Sequence, residues 1–153
     1  MGYSTDFSGK FTVNKPVDEE TAKLLKGLAT TRRMKRNLSG YGVEGEFFVG
    51  DTEDFGQRAT PDVIDSNSPP STQPSLWCQW LLQKDNQTIK WDEGEKFYGY
   101  IDWIKYLIDK ILKPRGYFVS GEVKWFGDDR GDLGKIIIKN NDVAVETGRI
   151  AFD

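Results

Sequence analysis

The sequence predicts an α+β fold: a mostly antiparallel sheet with two helices packed on one face. Three observations carry this reading. Period-two alternation marks strands at both ends of the chain, two amphipathic stretches have helical spacing, and two polar tips join neighbouring strand patterns. In chain order the first six elements fit a ferredoxin-like β-α-β-β-α-β unit with a C-terminal hairpin added. A continuous meander with the helices at one end is the alternative.

The stretch "YSTDFSGKFTV" places Tyr3, Thr5, Phe7, Gly9, Phe11 and Val13 on one face, and Ser4, Asp6, Ser8, Lys10 and Thr12 on the other. Such a pattern predicts a strand with one wet side. After "NKP", Asp18 caps a helix that carries Glu19 and Glu20 in its first turn and turns Leu24, Leu25 and Leu28 inward. This helix is expected to run into the basic segment "TRRMKR", residues 31–36. Residues 37–74 are the least regular. "EFFVG" at 46–50 reads as a short strand, and a Ser, Pro, Asp and Asn-rich loop follows at about 50–74. Loops of that length inside one domain are commonly functional or mobile.

"SLWCQWLLQKDNQTIKW" reads as a hairpin with Asp85-Asn86 at its tip, which pairs Lys84 with Gln87, Leu82 with Ile89 and Trp80 with Trp91. Leu76, Cys78, Trp80 and Leu82 then face the core, while Trp77, Gln79, Leu81, Thr88 and Lys90 share the opposite face. Next comes the second helix. Asp92 with Glu95 forms a capping box, Phe97, Ile101, Ile104, Ile108 and Ile111 follow helical spacing, and Pro114 with Gly116 ends it. "YFVSGEVKWF" alternates again, "GDDRGDLG" is a turn, and "KIIIKNNDVAVE" is a hairpin about Asn140-Asn141, which "RIAF" extends or caps.

Composition narrows the function classes. With 153 residues the chain fits a single domain, 1–153, and its 13% aromatic content argues for a packed interior. There is no histidine, which removes Ser-His-Asp and Cys-His catalysis and Cys/His zinc sites. Cys78 is the only cysteine, so no intrachain disulfide forms. No apolar run is long enough for a membrane span, "MGYSTDF" lacks signal-peptide character, and a cytoplasmic protein is expected. A net charge of −3 offers no general attraction to nucleic acid. No phosphate-binding glycine loop or nucleophile elbow is present, and no cofactor is expected.

Three constellations remain. The wet sheet face would present Asp6, Lys10, Trp77, Gln79, Lys90, Glu122 and Lys124; there Trp77 is a stacking surface amid hydrogen-bonding groups. Alternatively the long loop or the last hairpin covers Trp77, and the charges are ordinary cross-strand pairs. In "TRRMKR", Arg32 and Arg33 would grip an anion, or simply complement the helix macrodipole. Asp6 with Glu122 would hold a divalent ion or do acid-base work if the fold brings them together.

The set "MGYSTDF", "TRRMKR", "PSLWCQW", "WDEGEKFYGYIDWIKYLI" and "GEVKW" resembles a family of small hypothetical proteins scattered through bacteriophages and bacteria, over most of the chain. The resemblance implies an accessory protein carried by phage or other mobile DNA, and carries over no activity. The expected function is a non-enzymatic binding protein for a planar anionic, nucleotide-like ligand, in a host-defence interception role. Trp77 would stack, Gln79 would read polar edges, and Arg32 and Arg33 would meet charge. A protein-protein inhibitor or immunity-type module is one alternative; a small divalent-metal-dependent hydrolase or transferase is another.

Overall fold

The structure, a computed structural model, describes residues 3–50 and 55–148. Strand β1 (Thr5–Val13) leads into helix α1 (Glu19–Thr30). Asp18 caps α1, with Oδ1 accepting from Thr21 N at 2.7 Å. Two short strands, β2 (Lys35–Arg36) and β3 (Val63–Asp65), then pair with each other. The hairpin of β4 (Trp80–Leu82) and β5 (Thr88–Trp91) follows. Helix α2 (Tyr100–Leu107) continues as a π-helical segment, Ile108–Leu112, before β6 (Val119–Gly127), β7 (Leu133–Lys139) and β8 (Asp142–Thr147).

The main sheet has the order β4-β5-β1-β6-β7-β8, and every neighbouring pair is antiparallel. Strand β4 therefore runs parallel to β1 with β5 between them, and β5 runs parallel to β6 with β1 between them. These are two interleaved split β-α-β units, the ferredoxin-like arrangement, with β7 and β8 added at one edge. The hairpin registers match the sequence reading. Trp80 pairs with Trp91 and Leu82 with Ile89, while Lys139 pairs with Asp142 around Asn140 and Asn141, both left-handed.

One face of the sheet makes the core with both helices. Phe11, Val13, Trp80, Leu82, Ile89, Val119, Val123, Ile136 and Ile138 meet Leu25 and Leu28 of α1 and Trp103, Ile104 and Leu107 of α2. At its centre Phe7, Phe11, Trp80, Phe97 and Tyr100 pack edge to face or tilted, with ring centroids 5.0 to 6.2 Å apart. The opposite face is open: Asp6, Lys10, Lys90, Glu122 and Lys124 are all exposed on it. Strands β1 and β6 approach closely at Gly9 and Gly121, where a Cβ would stand 2.4 and 2.5 Å from the facing carbonyl oxygens of Glu122 and Lys10.

Three sequence expectations are corrected. First, α1 stops at Thr30 because Thr31 is extended, so "TRRMKR" lies beyond the helix and no cation sits in its last turn. Second, 46–50 is not a strand; a 3-10 turn at Val43–Gly45 precedes it. Third, α2 begins at Tyr100 and the capping box does not form. Asp92 Oδ1 instead accepts from Gly94 N at 2.7 Å, and Glu93 and Lys96 are left-handed. The physical reason is Phe97, which is 2% exposed and wedged against Phe7 and Trp80. Delivering that ring to the core outweighs two more turns of exposed helix. The expectation for "RIAF" lies outside the described residues.

The irregular middle of the chain is held by arginines. Arg33 is 1% exposed and donates from Nε to Gln73 Oε1 at 3.2 Å and from Nη2 to Glu46 O at 3.1 Å. Tyr106 Oη donates to Glu46 Oε2 at 2.9 Å, closing a buried polar network against α2. Arg36, 3% exposed, donates to Gly56 O at 2.7 Å, pairs with Asp62 Oδ2 at 2.9 Å and stacks over Phe48. Residues 55–74 are thus fastened to the domain rather than loose.

Cys78 lies under the hairpin, fully enclosed. Burial pushes its thiol up to about 12, against a smaller opposing effect of its contact with Trp80 O. A thiol-reactive disulfide reagent at pH 8 is therefore expected to label the native protein no faster than it unfolds. Rapid labelling without denaturant would contradict this burial.

Candidate functional site

The opening of the hairpin separates its two tryptophans. Trp80 is 1% exposed, inside the aromatic cluster, and its Nε1 donates to Tyr100 O at 2.8 Å. Trp77 precedes β4 and is half-buried, so it lies outside the ladder instead of on the open sheet face as the alternation suggests. Backbone pairing with the second strand of the hairpin reaches one residue beyond Trp80, where Gln79 O accepts from its register partner Asp92 N at 2.9 Å, and Trp77 lies two residues before that last contact.

Trp77 forms one wall of a cavity of about 550 Å³. Arg32 and Pro69 contribute from the side of the basic segment and the loop, Gln79 from the hairpin, and Glu95, Lys96 and Tyr98 from the strap that precedes α2. Arg32 is fixed by two hydrogen bonds, from Nε and Nη2 to Ser66 O at 3.2 and 3.0 Å, and its Nη1 has no partner among the described residues. Gln79 holds the strap. Its Nε2 donates to Glu95 O at 2.9 Å, and its Oε1 accepts from Trp91 Nε1 at 3.2 Å. One N–H of that amide is left to offer.

Indole N–H groups show which tryptophans the fold has spent. Trp80 donates to Tyr100 O, Trp91 to Gln79 and Gly94, Trp103 to Ser75 Oγ, and Trp125 to Asp132 Oδ1. Trp77 is the fifth, and among the described residues its N–H has no acceptor and its ring makes no aromatic or cation–π contact. A half-exposed indole beside a cavity, with an arginine fork on the same wall, can stack a flat ring and bind an anion.

The structure brings together Trp77, Gln79 and Arg32 of the residues the sequence nominated. It separates the other four. Arg33 is buried in the Gln73–Glu46 network, where Nε and Nη2 are engaged and Nη1 is enclosed, and it does not line this cavity. Lys90 lines a different cleft, about 370 Å³, where β5 diverges from β1 beside Phe7 and Trp91. Lys124 lies over a shallow hollow with Phe126 and Glu146. Glu122 is ion-paired with Lys135 at 3.2 Å on the open face. The Asp6–Glu122 metal pair does not form. Glu122 pairs across the ladder with Lys10 and Asp6 with Phe126, four positions away, or roughly 13 Å along the strand.

Glu95, Lys96 and Tyr98 escaped the sequence reading, which assigned them to a helix. The available signal was the pair of glycines, Gly94 and Gly99, in a segment only six residues long. No family model, curated protein or solved structure matches the chain. Among the described residues no helix is long and apolar enough to cross a membrane.

Proposed function

We propose that this chain is a non-enzymatic binding protein for a planar, anionic, nucleotide-like molecule, and that the cavity beside Trp77 is its site. One observation carries the reading: among the described residues, Trp77 alone of the tryptophans has no acceptor for its N–H, on the wall of a cavity that Arg32 also lines. The ring of the ligand stacks on the indole, and its anionic group meets the free edge of the Arg32 guanidinium. In a phage or other mobile element, such a site would intercept a nucleotide-like host signal.

Stacking of a base on an aromatic side chain contributes about 1–3 kcal/mol. Isothermal titration with a panel of purine and pyrimidine mononucleotides is therefore expected to show saturable binding. Trp77→Ala is expected to weaken it about 10- to 100-fold. Arg32→Ala is expected to weaken binding of the phosphorylated compounds and leave the nucleosides unaffected. Failure of every mononucleotide to bind, or an unchanged affinity in Trp77→Ala, overturns the proposal.

A further inference from the structure

The strap that crosses the cavity narrows the ligand class further, and this step rests on the binding function just proposed. Residues 92–99 bend away from the helix that Asp92 and Glu95 would otherwise start, with Glu93 and Lys96 at φ 67 and 58. Left-handed backbone is uncommon in residues with side chains, and such strain gathers at ligand sites. Its consequence here is to set Glu95 and Lys96 side by side on the cavity wall. Both side chains are exposed, and neither has a hydrogen-bond or ionic partner among the described residues. They are a carboxylate and an ammonium adjacent to each other, unpaired, in a cavity that can hold a base.

The two ends of the cavity are distinguishable. Arg32 lies where the backbone of Arg33 donates to Leu76 O at 2.7 Å, and Glu95 lies where Gln79 Nε2 reaches its carbonyl at 2.9 Å. Leu76 and Gln79 are three residues apart, at most about 10 Å of chain, with Trp77 between them. That upper bound is of the order of the distance from the phosphate of a mononucleotide to the far edge of its base. A base stacked on Trp77 with its phosphate at Arg32 thus turns its outer edge towards Glu95 and Lys96.

We infer that this edge is guanine's. Guanine presents one acceptor, O6, beside two donors, N1–H and the N2 amino group. The Lys96 ammonium supplies the donor and the Glu95 carboxylate the two acceptors. Adenine presents a donor where Lys96 needs an acceptor and an unprotonated nitrogen opposite the carboxylate. Uracil and thymine offer the carboxylate one donor only, and cytosine reverses the order.

Titration calorimetry with guanosine, inosine and adenosine 5′-monophosphates tests this on wild type, Glu95→Gln and Lys96→Gln. A good two-bond base contact discriminates by about tenfold or more. The expected order is guanosine, then inosine, which lacks the amino group, then adenosine monophosphate at least about tenfold weaker. Glu95→Gln is expected to bring guanosine and adenosine monophosphates within about twofold of each other. Thermal unfolding should be unchanged in both variants, since the side chains have no hydrogen-bond or ionic partner among the described residues. Equal binding of all three nucleotides by wild type, or a preference that survives Glu95→Gln, overturns the guanine assignment while leaving the stacking site intact. Absence of binding by all three overturns this assignment and the proposed function together.

Discussion

Trp80→Ala is expected to lower the free energy of unfolding by about 3–5 kcal/mol, the cost of emptying a large aromatic site in a core. Typical domains have about 5–15 kcal/mol in total. Trp80 is fully enclosed, touches Phe7, Phe11 and Phe97, and donates to Tyr100 O. Its loss therefore removes apolar contacts and orphans a carbonyl together. Trp77→Ala, three positions earlier, is expected to change unfolding by about 1 kcal/mol or less, since it removes no hydrogen bond among the described residues. Chemical denaturation of both variants measures the contrast. Similar losses would place the two rings in one interior and leave the cavity assignment without support.

Arg36→Ala is expected to cost about 3 kcal/mol, because it breaks an ion pair at a buried guanidinium and takes that donor away from Gly56 O and Asp62. Arg36→Lys is expected to recover little, since one ammonium cannot reproduce the fork or the stacking on Phe48. The same contact has a pH signature. The Thr60 hydroxyl and, second, the Arg36 guanidinium hold the Asp62 carboxyl below its ordinary value. A depressed folded value means the contribution is complete above the ordinary carboxylate pKa and is lost as pH falls through the folded one. Wild type is therefore expected to lose stability on acidification below about pH 4, and Arg36→Ala to lose less over that range. Parallel acid profiles for the two proteins would show that the pair contributes nothing.

Much of the fold was legible in the chain because local rules decide it. The alternation around Phe11 and Val123, the polar tips at Asp85-Asn86 and Asn140-Asn141, and the Asp18 cap each act within a few residues, and the structure has all of them. The misreadings have one cause. Where a long-range contact competes with a local signal, the contact wins. Asp92 and Glu95 encode a helix start, but Phe97 is needed in the aromatic cluster, so the strap bends. "TRRMKR" resembles a cationic helix end, but Arg33 and Arg36 find Gln73, Glu46 and Asp62 and turn inward. Those partners lie 13 to 40 residues further along the chain, beyond the reach of any periodic pattern. Of the residues that line the cavity, Trp77, Gln79 and Arg32 were nominated from the sequence, whereas Glu95 and Lys96 were not, because their placement depends on the bent strap.

The central claim is that the indole of Trp77 faces a ligand while that of Trp80 faces the core. Quenching of intrinsic fluorescence by guanosine 5′-monophosphate, compared between wild type and Trp77→Phe, tests it most directly. The account predicts a saturable quench in wild type that vanishes when Trp77 is replaced, although Trp80, Trp91, Trp103 and Trp125 all remain. A quench of equal depth in both proteins, or none in wild type, would contradict it.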